Sequence, residues 1–164
     1  MTSVRDSEFE KCRDLLRDLK SGMLVTHSVE GKFHARPMAL AEVDDSLAIS
    51  FITSLESPKV KEIQRDAKVG VTLQGESAFL AVQGTANVIT ALEERRRVFE
   101  LTDEIWFDGP EDPDAAVIRV VPDQLEYWDR RGGNAIRLAW KFATSALTGE
   151  KPSFDEREHG RVEL

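Results

Sequence analysis

From Met23 onward the apolar residues stop recurring every three or four positions and begin to alternate, and this change of period limits the fold more than any other feature of the chain. Ahead of it, Ser7 to Lys20 carries Phe9, Cys12, Leu15, Leu16 and Leu19 at helical spacing behind a Ser7-x-x-Glu10 capping box, which predicts an amphipathic helix ending at Gly22. Beyond it, Met23 to Val29 and Phe33 to Val43 read as strands joined by a Glu30-Gly31-Lys32 turn. Asp44-Asp45-Ser46 makes a second turn into Leu47 to Thr53, a strand with apolar residues on both faces and hence a central one.

Ser57-Pro58 is a helix start, with Ser at the N-cap and Pro at the first helical position, and it turns Val60 and Ile63 toward the core. Val69 to Gln74 and Ala78 to Ile89 are the next predicted strands. Gly84 interrupts the second, as a bulge or a close-approach site would. Thr90-x-x-Glu93 begins another helix reaching about Thr102, and an acidic loop follows at 108–114. Ala115 to Val121 and Gln124 to Trp128 are the last predicted strands, and Asn134 to Leu147 is a closing helix with Ile136, Ala139, Ala143 and Leu147 on one stripe. The expected architecture is mainly β (α+β): about six antiparallel strands in a small barrel with flanking helices, spanning residues 1–150. Residues 151–164 read as a charged tail whose Val162 and Leu164 either dock or stay loose.

With 164 residues and 41% apolar content the chain can bury one core, and no composition break argues for two. Its net charge of −8 would repel a nucleic-acid backbone, and Arg95-Arg96-Arg97 beside Glu93 and Glu94 reads as a solvated helix face. No segment has the roughly 18 apolar residues of a membrane span or the apolar centre of a signal peptide, so a cytoplasmic protein is expected. Cys12 is the only cysteine, which rules out an internal disulfide and a cysteine metal cluster. It reads as a core residue.

The chemistry concentrates between Phe33 and Ile63. Arg36 offers a planar fork of donors, Thr53, Ser54 and Ser57 offer hydroxyls, and Lys59 falls in the first turn of a helix whose free N–H groups attract anions. A phosphorylated ligand is the expectation. Ser57 is assigned to capping its own helix, so Thr53 is the hydroxyl kept for the ligand. His27 and His34 lack a sequence-adjacent partner and read as exposed or core-edge residues, although His34 shares a strand face with Arg36 and Met38. Trp106 and Trp140 read as packing residues. The acidic loop lacks the ligand spacing of a calcium site, and no metal is expected.

Arg36-Pro37-Met38, Phe51-Ile52-Thr53-Ser54, Ser57-Pro58-Lys59, Val82-Gln83-Gly84 and Leu125-Glu126-Tyr127-Trp128 occur in an order that resembles the pyridoxamine 5′-phosphate oxidase-like FMN-binding split barrels, closest to their general stress protein branch. The resemblance covers residues 8 to 150. It implies a six-stranded split β-barrel homodimer with FMN at the interface, held by Arg36, Pro37, Met38, Ile52, Thr53, Lys59 and Trp128. The oxidases have a lysine where this chain has Ala41 and a flavin-contacting glutamine where it has Phe79. They also hold the pyridoxal ring with an Arg-x-His pair, against Arg137-Leu138-Ala139 here.

These departures argue against vitamin B6 oxidation. What remains is a stress-related FMN protein acting as an oxidoreductase on a small substrate, with NAD(P)H as a candidate donor and no catalytic residue assigned. A non-catalytic flavin store or sensor is the alternative reading, and FAD, a deazaflavin or haem are the alternative cofactors.

Overall fold

Along Lys68–Gln74 and Ala78–Ile89 buried and exposed residues alternate, and two such strands can bury their apolar faces only by sharing one sheet. The computed structural model describes residues 4–102, 107–129 and 159–164. Within them, α1 (Val4–Asp18) precedes β1 (Ser21–His27), β2 (Phe33–Ala39), β3 (Glu42–Val43) and β4 (Ile49–Ser54). Next come α2 (Pro58–Arg65), β5 (Lys68–Gln74), β6 (Ala78–Ile89), α3 (Leu92–Phe99), β7 (Ala115–Asp129) and β8 (His159–Glu163). The strands make one antiparallel sheet in the order β2-β1-β5-β6-β7-β4-β3, with β8 added beside β7. This is a split-barrel α+β fold, with eight strands among the described residues where six were expected.

Three corrections turn the seven strand segments named from the sequence into these eight. The strand expected to run from Phe33 to Val43 stops at Ala39, and Glu42–Val43 pairs instead with β4 as a separate short strand. The two strands expected on either side of Pro122 are one, because Pro122 lies opposite Gly84 at the register shift in β6, where an absent N–H costs no ladder bond. Residues 159–163, read as part of the charged tail, pair with Gln124–Trp128, and Val162 is buried.

The helix starts also differ. α1 begins at Val4, so Ser7 lies inside it, and Gly22 belongs to β1 rather than ending the helix. α3 begins at Leu92 with Ala91 at its cap position and no side-chain cap, which displaces Thr90 from that role. The closing helix at 134–147, with Arg137, Ala139 and Trp140, lies outside the described residues, as does Trp106.

The main core gathers Leu16, Leu24, Phe51, Leu80, Ile118 and Leu125, all with 2% exposure or less, and Cys12 packs among them. Burial, with Glu8 nearby, pushes the Cys12 thiol up to about 12. A second cluster under α3 joins Ala41, Ile52, Val98 and Val117. The triple arginine is less solvated than expected. Arg97 makes a two-armed contact with Glu42 at 2.5 and 3.0 Å, and Arg95 donates to the carbonyls of Asp112 (2.6 Å) and Ala115 (3.1 Å), tying α3 to β3 and the acidic loop. At the β1–β2 hairpin, Gly31 supplies the left-handed φ of 74° that closes the turn. No helix among the described residues is long and apolar enough to cross a membrane.

Candidate functional site

Strand β2 forms one end of the sheet, and α2 packs beneath it against β1 and β6. Because side chains alternate along β2, His34, Arg36 and Met38 face inward under α2, while Pro37 points to the outer face. Arg36 is largely committed to the protein. Its Nη1 donates to Thr26 Oγ1 at 2.5 Å and to the Leu24 carbonyl at 3.3 Å, and its Nη2 donates to Glu62 Oε2 at 2.9 Å. Glu62 is the residue that sequence reasoning missed. It is 8% exposed, and it also accepts from Thr26 Oγ1 at 2.5 Å and contacts His34 Nδ1 at 2.6 Å through its other oxygen. Burial alone would raise its carboxyl, but the hydrogen bonds from Thr26, His34 and Arg36 outweigh that and hold it below its ordinary value.

Lys59 stands one turn before Glu62 on the same helix. It is half-buried, and no described residue forms a hydrogen bond or ion pair with its ammonium. Burial lowers its pKa, the neighbouring Arg36 guanidinium lowers it further, and Glu62 opposes the shift. Two cations thus surround one carboxylate. Ser57 occupies the N-cap position of α2, yet its hydroxyl makes no cap bond and lies 3.5 Å from Thr53 Oγ1 at the end of β4. The expectation that Ser57 caps its own helix is therefore corrected: the Ser57 and Val60 N–H groups bond to the Ser54 and Ser57 carbonyls, Pro58 has none, the Lys59 N–H is the first-turn donor left over among the described residues, and two weakly paired hydroxyls stand beside it.

The remaining expected ligand residues lie elsewhere. Met38 packs against the main core, and Ile52, 7% exposed, belongs to the cluster under α3, so neither side chain joins the charged group. Pro37 and Trp128 line a cleft of about 440 Å³ on the outer sheet face with Met23, Thr72, Phe79 and Ala81. Register explains this grouping: Met23 is opposite both Pro37 and Thr72, Thr72 is opposite Ala81, and Phe79 is opposite Trp128. The structure brings Arg36, Thr53 and Lys59 to the start of α2, and places Pro37 and Trp128 across the sheet from them.

Both hairpin histidines are exposed or at the core edge, as expected, and each lies beside a carboxylate distant in sequence, with no hydrogen bond formed at His27 Nδ1. His27 Nδ1 lies 3.2 Å from Asp66 Oδ2, and His34 meets Glu62. A local reading could not pair residues so far apart in the chain. One signal for Glu62 was present, since its spacing from Lys59 puts both on one face of α2. No group of His, Cys, Asp or Glu able to hold a metal occurs among the described residues.

Comparison with known proteins agrees with this architecture. The chain is 30% identical to general stress protein 26 of Bacillus subtilis over 121 residues, covering 71% of this chain and 84% of that one. Among solved structures it is similar to a general stress protein 26 homologue from Jannaschia, with a TM-score of 0.67, 24% identity, and 96% and 99% of the two chains covered. It is also similar to a pyridoxamine 5′-phosphate oxidase-related, FMN-binding protein from Nostoc punctiforme, with a TM-score of 0.61, 12% identity, and 96% and 93% covered. The family model for pyridoxamine 5′-phosphate oxidase-like proteins matches residues 7–153, and the chain belongs to that family.

Proposed function

We propose that the chain binds FMN, with the phosphate at the start of α2 and the ring toward the Pro37–Met38 end of β2. The observation that carries this reading is the uncompensated cation: Lys59 is half-buried beside Arg36, and the one nearby carboxylate already has other partners. A phosphate fits such a place because it accepts from an ammonium, from the Thr53 and Ser57 hydroxyls and from the Lys59 main-chain N–H at a helix start. FMN-binding members of this fold, such as the Nostoc protein, support the choice of cofactor.

Bound FMN would supply electron and hydride transfer, while the protein supplies position and charge. Lys59, Thr53 and Ser57 would hold the phosphate. Arg36 contributes positive potential, and the main chain of Pro37 and Met38 borders the ring. The outer-face cleft, which includes half-exposed Met23 and Trp128, fits a second copy of the chain, and we take the working assembly as a homodimer. With vitamin B6 oxidation disfavoured by Ala41 and Phe79, the proposed activity is flavin-dependent oxidation or reduction of a small substrate.

Lys59→Ala tests the site. FMN affinity should fall by about 1.5–3 kcal/mol, the usual worth of a charged hydrogen bond, while riboflavin affinity stays within experimental error. Equal weakening of both ligands, or of neither, overturns the assignment. Anaerobic mixing of the FMN-loaded protein with NADPH or NADH then reads activity: flavin bleaching followed by turnover supports an oxidoreductase, and a flavin that stays oxidised supports a binding role.

A further inference from the structure

Lys59 and Glu62 lie three residues apart on one helix face, a spacing at which opposite charges ordinarily pair. Here they do not. Both oxygens of Glu62 are turned toward the sheet, Oε1 to His34 on β2 and Oε2 to Thr26 on β1 and Arg36 on β2. The same contacts use both terminal nitrogens of Arg36, the atoms a two-armed phosphate contact would need.

We propose that Glu62 is a positioning residue of the anion site: it commits Arg36 to the sheet and leaves Lys59 as the ammonium that meets the phosphate. This rests on the FMN reading above. Arg36 then acts through Glu62, by keeping that carboxylate occupied and away from Lys59, more than by touching the ligand. Without Arg36 a buried carboxylate loses its counter-charge and captures the ammonium one turn away. Without Glu62 the local positive charge rises by one unit.

The ratio of riboflavin to FMN dissociation constants reads the phosphate contribution, because general damage to packing weakens both ligands and cancels. Glu62→Gln, nearly isosteric, should raise that ratio threefold or more and steepen its dependence on salt. Arg36→Gln should lower it at least tenfold, and adding Glu62→Gln to Arg36→Gln should recover at least tenfold of a larger loss, or nearly all of a smaller one. A ratio that falls or stays unchanged in Glu62→Gln, or a double variant no better than Arg36→Gln, overturns the proposal by making Arg36 a direct ligand or Glu62 a merely structural group. If Arg36→Gln does not fold, Glu62→Gln alone decides. Lys59→Ala separates the two levels: an unchanged ratio there removes the phosphate site itself, whereas a collapsed ratio with no response at Glu62 removes only this inference.

Discussion

Gly84 offers a direct test of how tightly the sheet is closed. A Cβ built on it would lie 2.2 Å from the Val121 carbonyl oxygen and 2.9 Å from Pro122 Cα, against a floor of 3.0 Å for real Cβ contacts. Both obstacles are main chain, so no rotamer change relieves them, and β6 and β7 must part by about 0.8 Å at the register shift. Overpacking of this kind costs about 1–3 kcal/mol, and each ladder bond disturbed beside the bulge adds about 1 kcal/mol. Alanine stiffens the unfolded chain and returns about 0.4–1 kcal/mol. The net loss for Gly84→Ala is about 2–4 kcal/mol, which for a chain this long lowers the melting temperature by about 4–16 °C. Circular dichroism melts and urea titrations measure it, with an unchanged m-value showing that stability rather than compactness has moved. Gly70→Ala on β5 is the control, since its nearest neighbours, Val25 Cβ and the Val82 carbonyl, stand 3.8 Å away. It should be neutral or stabilising by up to about 1 kcal/mol. A Gly84→Ala protein melting within 2 °C of the parent, or a Gly70→Ala protein losing as much as Gly84→Ala, would refute the close-approach argument.

Phe51→Ala, at a fully buried site on β4, should cost about 3–5 kcal/mol in chemical denaturation. Cys12, with its thiol pushed up to about 12 by burial, should resist an aromatic disulfide reagent at pH 8 in the native protein and react at once in denaturant; fast native labelling would contradict its placement. The folded-state carboxyl of Glu62 is held below its unfolded value, so its network stabilises above about pH 4.3 and loses that contribution as pH falls through the lower folded value. Stability measured from pH 7 down to 3 should fall less steeply in Glu62→Gln than in the parent. A parallel decline in both would place the acid sensitivity elsewhere.

Much of the sheet could be read locally. β6 matches its expected bounds residue for residue, with buried and less buried positions alternating from Ala78 to Asn87, and Gly84 marks its irregularity as anticipated. The start of α2 was equally plain from Ser57-Pro58. Errors arose where a local signal was answered from a distance. Pro122 ends a strand in isolation, yet the register shift beside it, which leaves Asp123 without a partner on β6, absorbs it. Ser57 caps in isolation, yet its hydroxyl turns to Thr53. The candidate site divides in the same way: Arg36, Thr53 and Lys59 were visible as phosphate-binding types, while the partner that fixes Arg36 lies 26 residues further on, and only folding brings them together. Met38, expected at the ligand through its main chain, and Ile52 entered the site through motif likeness, and their side chains pack in the two apolar clusters.

Strand β7 is bonded to β6 along one edge from Val117 to Asp129, while its other edge is shared, Ala115–Val120 taking β4 and Gln124–Trp128 taking β8. During synthesis those two halves mature at different times. The β4 half can close as soon as β7 has left the ribosome, but the β8 half waits for a segment that begins at residue 159. In the interval the unpaired groups of Gln124–Trp128 form an open edge beside Leu125 and Tyr127, side chains destined for the core. The nascent chain can therefore pair with a neighbour at this edge until residues 159–163 have emerged and closed on it.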